Sequence, residues 1–380
     1  MRRCTIIYLQ FWFVLILSMK LSSAKELVPA LFVFGDSLVD VGNNNYLSVS
    51  LAKGNFLHHG IDFPTHKPTG RFSNGKNIAD FLAEKLGLPS SPPYLSLVHD
   101  NVDDFTKGVS FASAAAGILN TTSKNIYLPR LDGTDGDGDG DQLSHFTITM
   151  DEQVEYYVKV RGVLDQKLGA SNAATHLAKS VFIIAIGSVD IGVYLGLPHT
   201  SLKEKGSPRQ LVDSMVLTII GQLKRIYNNG GRKFVMIGIG STGCLPSERI
   251  KTQNETCNEE FNYWNTKYNQ GLQLVLKELE SELPDFRYSY FNTYQFLLNI
   301  LEQPLAYGFK EVKAACCGLG RLNADVCCSP VSNLCPDRSG YVFWDLFHPT
   351  EAVSRLLIDY AFDGAQQYSF PGDIQRLVSM

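Results

Sequence analysis

The feature that most constrains this chain is a series of short, mostly apolar runs separated by long amphipathic stretches. Leu31-Phe32-Val33-Phe34 is the first run, and Val181 to Ile186, Lys233 to Ile239 and Phe286 to Phe291 repeat it. Runs of that length without polar alternation read as strands covered on both faces. Lys107 to Ala112 is a further short apolar run, which brings the expected sheet to about five strands. Between the runs lie helical patterns. Lys76 to Leu86 sets Ile78, Phe81, Leu82 and Leu86 on one face, and Gly87 and Pro89 stop it. Met150 to Leu168 reads as a helix, and so does Pro208 to Asn228, with Ser207 as N-cap and Pro208 at the first helical position. Phe261, Trp264, Tyr268, Leu272, Val275 and Leu279 recur at three- and four-residue steps, the apolar stripe of a long core helix rather than a cofactor site. Strands alternating with helices imply an α/β fold with a parallel central sheet and helices on both faces. No repeat or long linker interrupts the pattern, so residues 25–380 are expected to form one domain.

Ligands and chemistry collect at the carboxyl ends of the strands in such a sheet. Gly35-Asp36-Ser37 ends the first strand abruptly and places a serine hydroxyl there. Gly-Asp-Ser is also ordinary turn composition, so Ser37 needs a base before it counts as a nucleophile. Asp345-Leu346-Phe347-His348 supplies one. Pro349 is expected to open a helix with Val353, Leu356, Leu357, Tyr360 and Ala361 inward, which puts His348 at the helix start. An aspartate three residues earlier can reach the imidazole Nδ1 and leave Nε2 free to accept a serine proton. The bland alternative is a histidine capping its helix with the aspartate in solvent. The presence of Ser37 favours catalysis.

With 380 residues, 44% of them hydrophobic, the chain can bury a large core, and its formal net charge of −4 gives no basic footprint for nucleic acid. Arg2-Arg3, the apolar run Ile6 to Met19 and the small residues Ser22-Ser23-Ala24 read as a secretory signal over residues 1–24. The run is short for a membrane span and contains Gln10, and no later stretch is long enough to cross a bilayer. A secreted, soluble protein starting near Lys25 is expected. Secretion makes disulfides the default for Cys257, Cys316, Cys317, Cys327, Cys328 and Cys335, with Cys244 as the leftover thiol. A zinc site is the weaker alternative, since the paired cysteines lack the usual gap between ligands. Asn120 and Asn254 open glycosylation sequons.

Several other motifs fail on context. Gly238 to Gly243 matches a dinucleotide fingerprint, but Pro246 follows where a helix should be running, and the next helix starts near Asn258. Val39 rules out the nucleophile elbow of α/β-hydrolases around Ser37. No HExxH zinc motif occurs, and His58-His59 read as a polar loop pair. The Asp-Gly alternation from Asp132 to Asp141 imitates the opening of a calcium loop. It lacks the closing glutamate, where Phe146 stands, and reads as an acidic surface insertion.

Four blocks then carry a specific resemblance. FGDSLVDVGNNNYL, PTGRFSNGKNIADFLAEKLGLP, ACCGLG at 315–320 and YVFWDLFHPTEAVSRLL together resemble the plant GDSL esterase/lipase family of SGNH hydrolases, in order from about Ala30 to Ala361. The resemblance implies a three-layer α/β/α, flavodoxin-like domain that hydrolyses carboxylic esters of lipid, polyester or acetylated glycan type. It implies no metal or organic cofactor. Ser37 matches the nucleophile, Asp345 the orienting acid and His348 the base. The Ser37 amide and the block containing Gly117 match oxyanion donors, with Ala114 and Ala115 where relatives often have glycine. The third block departs from the pattern: Gly187-Ser188-Val189-Asp190 puts Val189 where an asparagine usually donates to the oxyanion. Losing one such donor typically costs on the order of 10²–10³ in turnover. Three alternatives follow: a weakened enzyme, an enzyme with a substitute donor such as Ser188, or a binding protein that has lost catalysis.

Overall fold

The structure is a computed structural model that describes residues 25–100, 102–122, 146–196, 206–364 and 367–380. The expected signal at 1–24 and the Asp-Gly run at 132–141 lie outside these residues. Four parallel strands form the centre: β1 (Leu31–Gly35), β2 (Val181–Ala185), β3 (Lys233–Ile237) and β4 (Arg287–Phe291). Their side chains alternate between two cores, as strands covered on both faces require. Phe32, Phe34, Phe182, Ile184, Phe234 and Met236 face one core, with Tyr157, Met215, Ile219 and Leu272. Leu31, Val33, Ile183, Val235 and Ile237 face the other, with Phe81, Leu82, Phe296, Val353 and Leu357. Helices α1 (Ile78–Lys85), α2 (Met150–Leu168), α3 (Ser188–Gly196), α4 (Pro208–Asn228), α5 (Glu259–Glu282), α6 (Thr293–Glu302) and α7 (Glu351–Asp363) thus enclose a three-layer α/β/α sandwich. In-register pairing stacks Phe32 on Phe182 at 5.1 Å between ring centroids, and Phe286, just before β4, stacks on Phe234 at 4.6 Å.

Two features of the sheet differ from the sequence expectation. Residues 107–113 run along the outer side of β1, with N–H groups of Leu31 and Val33 donating to Lys107 and Val109, and those of Phe111 and Ser113 donating to Val33 and Gly35. They make only isolated bridges, from Ser110 to Val33 and to Pro93, rather than a regular strand. Gly108 explains this: φ is +98° and a Cβ there would lie 1.9 Å from the Leu31 carbonyl, so the backbone approaches too closely and at the wrong angle for a ladder. With that segment counted second, the order is 2-1-3-4, the flavodoxin-like arrangement. The fifth strand is one that periodicity could not reveal. Strands β5 (Glu311–Ala315), β6 (Cys317–Gly318), β7 (Asn333–Leu334) and β8 (Tyr341–Phe343) form small separate ladders, and the two residues of β9 (Ser369–Phe370) close the sheet antiparallel to β4.

The cysteine assignment also changes. Cys244 is paired with Cys257, Cys316 with Cys335 and Cys317 with Cys328, leaving Cys327 as the free, exposed thiol among the described residues. Cys244 is not the leftover because the loop after β3 doubles back. The Asn258 N–H donates to the Gly243 carbonyl at 2.7 Å, which brings the Cys244 and Cys257 Cα atoms to 4.2 Å.

Candidate active site

Ser37 stands just beyond β1 because the chain turns sharply at Gly35. A Cβ at Gly35 would lie 2.1 Å from the Ala185 carbonyl oxygen, and its φ of +148° falls in the region that favours glycine. Gln153 of α2 clamps this turn from below. Its Oε1 accepts the Gly35 N–H and its Nε2 donates to the Gly35 carbonyl, both at 2.9 Å. The half-buried Ser37 hydroxyl then meets His348, with Oγ 2.7 Å from Nε2. On the far side of the ring, Nδ1 lies 2.8 Å from both carboxylate oxygens of Asp345. Asp345 Oδ1 also accepts the N–H groups of Phe347 and His348. Burial pushes the Asp345 carboxyl up, but the His348 imidazole and these hydrogen bonds outweigh it and hold the group below the ordinary carboxylate range. The carboxylate is therefore charged and the imidazole oriented, with Nε2 able to accept a proton from Ser37.

His348 reaches this position from a tight turn, not from a helix start. Trp344 donates its N–H to the His348 carbonyl at 2.8 Å, and Pro349 bridges back to Phe343. The helix begins only at Glu351, because the Thr350 hydroxyl serves as the N-cap and Pro349 stays extended.

Ser37 and His348 open into a cavity of about 640 Å³, walled chiefly by apolar side chains that include Leu51, Phe56, Ile237, Leu297 and Phe347. Three contributors were invisible to sequence reasoning. Phe72, from a stretch read only as turn-rich, lies 4.9 Å from the His348 ring, tilted by 31°. Gln153 is one. The third is His59, which is not a polar loop residue: it is 2% exposed, with its ring against Phe56 and Trp344. Burial drives its pKa down to about 4, so the ring is neutral. Nothing in its sequence neighbourhood signals this, since the packing partners come from distant segments.

The third block shows why a valine matters here. Val189 lines the cavity and carries no donor, and the hydroxyl of its neighbour Ser188 is already committed to Asp36 Oδ2 at 2.9 Å. Asp36 is buried, and that burial raises its pKa to about 6. Asp190 faces away and accepts from the N–H groups of Ile118 and Leu119 and from the Thr122 hydroxyl. Gly117 packs against Thr122 and Asp190, outside the cavity wall, whereas Ala114 and Ala115 line it. Asn120 and Asn254 are exposed. Among the described residues, no cluster of His, Cys, Asp or Glu is arranged to hold a metal ion, and no helix is long and apolar enough to cross a membrane.

Comparison with known proteins places the chain among relatives of one family. The family profile for GDSL-like lipase/acylhydrolase proteins matches residues 31–361. One GDSL esterase/lipase of Arabidopsis thaliana is 41% identical over 360 residues, covering 93% of this chain and 90% of the relative. GDSL esterase/lipase 7 of the same plant is 37% identical, covering 94% and 93%. A third Arabidopsis GDSL esterase/lipase is 34% identical, covering 92% of each chain.

Proposed function

The chain belongs to the GDSL-like lipase/acylhydrolase family, and from that premise we propose that it is a secreted serine esterase acting through Ser37, His348 and Asp345. Ser37 Oγ attacks the ester carbonyl while His348 Nε2 takes its proton. The imidazolium formed is stabilised by Asp345, then returns the proton to the leaving alcohol, and an acyl-enzyme remains. Water repeats the sequence and releases the acid. The observation that carries this is the 2.7 Å contact between residues 311 positions apart, with the ring held from behind by a charged carboxylate. The apolar wall of the cavity suits an acyl chain more than a charged group.

The developing oxyanion is held by the main-chain amides of Ser37 and Ala115. Both residues line the cavity, and neither N–H has a partner among the described residues. Gly117 contributes by packing behind this loop rather than by donating. Val189 leaves the hole with two donors. Secretion is supported by the amino-terminal signal pattern and three disulfides, and Asn120 and Asn254 are exposed enough to carry glycans.

A fluorophosphonate probe tests the proposal. Stoichiometric labelling of the folded protein, lost in Ser37→Ala, is the expected result. An unreactive Ser37 in folded protein refutes esterase activity and leaves a binding protein on the same scaffold, the alternative that Val189 favours.

A further inference from the structure

Ala115 adopts a left-handed backbone, with φ of +67°, in a segment without regular secondary structure. A residue with a Cβ disfavours that conformation, so its surroundings must impose it. The constraint is applied one residue earlier. The Ala114 carbonyl accepts from the Thr147 hydroxyl at 2.8 Å and from Asn44 Nδ2 at 3.1 Å. The Ala114 N–H donates to Asn44 Oδ1 and to Asp40 Oδ2, each at 3.1 Å. Asn44 is itself fixed by the Ser113 hydroxyl, which donates to its Oδ1 at 2.5 Å. Asp40, Asn44 and Thr147 are all fully buried, and the Asp40 carboxylate is further anchored by the N–H groups of Gly42 and Asn43 at 2.7 and 2.8 Å.

Peptide planarity turns these contacts into a statement about the cavity. In a trans peptide the N–H of Ala115 points opposite to the carbonyl of Ala114. Two buried donors draw that carbonyl away from the cavity, so the Ala115 N–H is directed towards it. We propose that Asn44, Thr147 and Asp40 are positioning residues that aim the Ala115 amide at the carbonyl oxygen of the ester. This rests on the esterase assignment made above. It also gives Asn44 of the Gly-Asn-Asn-Asn run, and Asp40 just before that run, a task in the reaction, although neither touches substrate. With Val189 removing the side-chain donor, the orientation of this amide matters more than it would in a three-donor hole.

The test uses the full-length protein and a short-chain nitrophenyl ester. Thr147→Val keeps the shape of the side chain and removes one donor to the Ala114 carbonyl. Asn44→Asp removes the other while keeping an acceptor for the Ala114 N–H. Each single variant should lower kcat, and the pair should lower it by on the order of 10²–10³, the scale of one lost oxyanion donor, with KM nearly unchanged. A merely structural role would instead lower the thermal midpoint or move KM. Should Asn44→Asp not fold, Thr147→Val alone decides, with a drop in kcat of about tenfold expected as part of the same donor's contribution. Folded variants whose kcat stays within twofold of a reactive wild type overturn the positioning role alone. A wild type inert to both ester and fluorophosphonate removes the esterase assignment, and this inference with it.

Discussion

The two halves of the site are held in place by different means. Ser37 follows β1, and its turn is fixed by burial, by the Gln153 clamp and by the N–H groups of Val39 and Asp40, which donate to the Asp36 carbonyl. Asp345 and His348 stand on a segment with little regular structure, where β5 to β8 are two to five residues long. There, Trp344 is completely buried among Cys316, Cys317, Cys328 and Cys335, the half-cystines of two disulfides. Ser37 is placed by a strand of the central sheet, and His348 by a crosslinked segment. The 2.7 Å contact between them therefore depends on two supports of different kinds, joined where Val342 and Phe343 pack into the core beside Val33.

Asp345→Asn should break the comparison most sharply. The geometry can survive while the ring takes the wrong tautomer, so kcat should fall by about 10⁴ with little change in thermal unfolding. Retained turnover would mean that the aspartate is only structural. The Cys317→Ser, Cys328→Ser pair attacks the crosslinked half alone. It should destabilise the protein by about 2–4 kcal/mol, and on heating, activity should disappear before the far-ultraviolet signal of the sheet. Simultaneous loss would show that the two supports form one cooperative unit. Val189→Asn sharpens the other half by restoring a side-chain donor. A gain of about tenfold in kcat on a short ester is expected, below the full value of a donor because the new amide is not preorganised. No gain would mean that two amides already suffice.

The smallest effect is on stability against pH. Burial raises Asp36, Asp40 and Asp190 from the usual carboxylate range to about 6. Their contribution is fully present below the unfolded value and is lost as pH rises through about 6. His59 works the other way: its pKa is pushed down to about 4, so its contribution is lost as pH falls through about 4. Three carboxyls outweigh one imidazole between these limits. The thermal midpoint should be a few degrees higher at pH 5.5 than at pH 7.5, as scanning calorimetry can check. A lower midpoint at pH 5.5 would show that the carboxylates are better solvated than their burial indicates.

These differences also explain what the sequence disclosed. Long amphipathic helices such as Met150–Leu168 and Pro208–Asn228 were legible to the residue, because period and capping residues agree locally. Ser37, Asp345 and His348 were legible because short motifs carry them. The pairing of Cys244 with Cys257 was not, since it depends on how a loop returns after β3. Neither were His59, Gln153 and Phe72, whose roles arise from contacts between segments far apart in the chain. The two-residue strand β9 is too short to leave a periodic trace.

That short strand has a consequence for behaviour in concentrated solution. An open parallel sheet ordinarily leaves two rows of unpaired backbone groups along its flanks, each able to recruit a strand from another molecule. Here one flank is occupied by residues 107–113 and the other by Ser369–Phe370. The second cover is only two residues long, which makes it a poor template for further addition. The molecule thus carries its own protection against fibrous self-association, built from the least regular pieces of its chain.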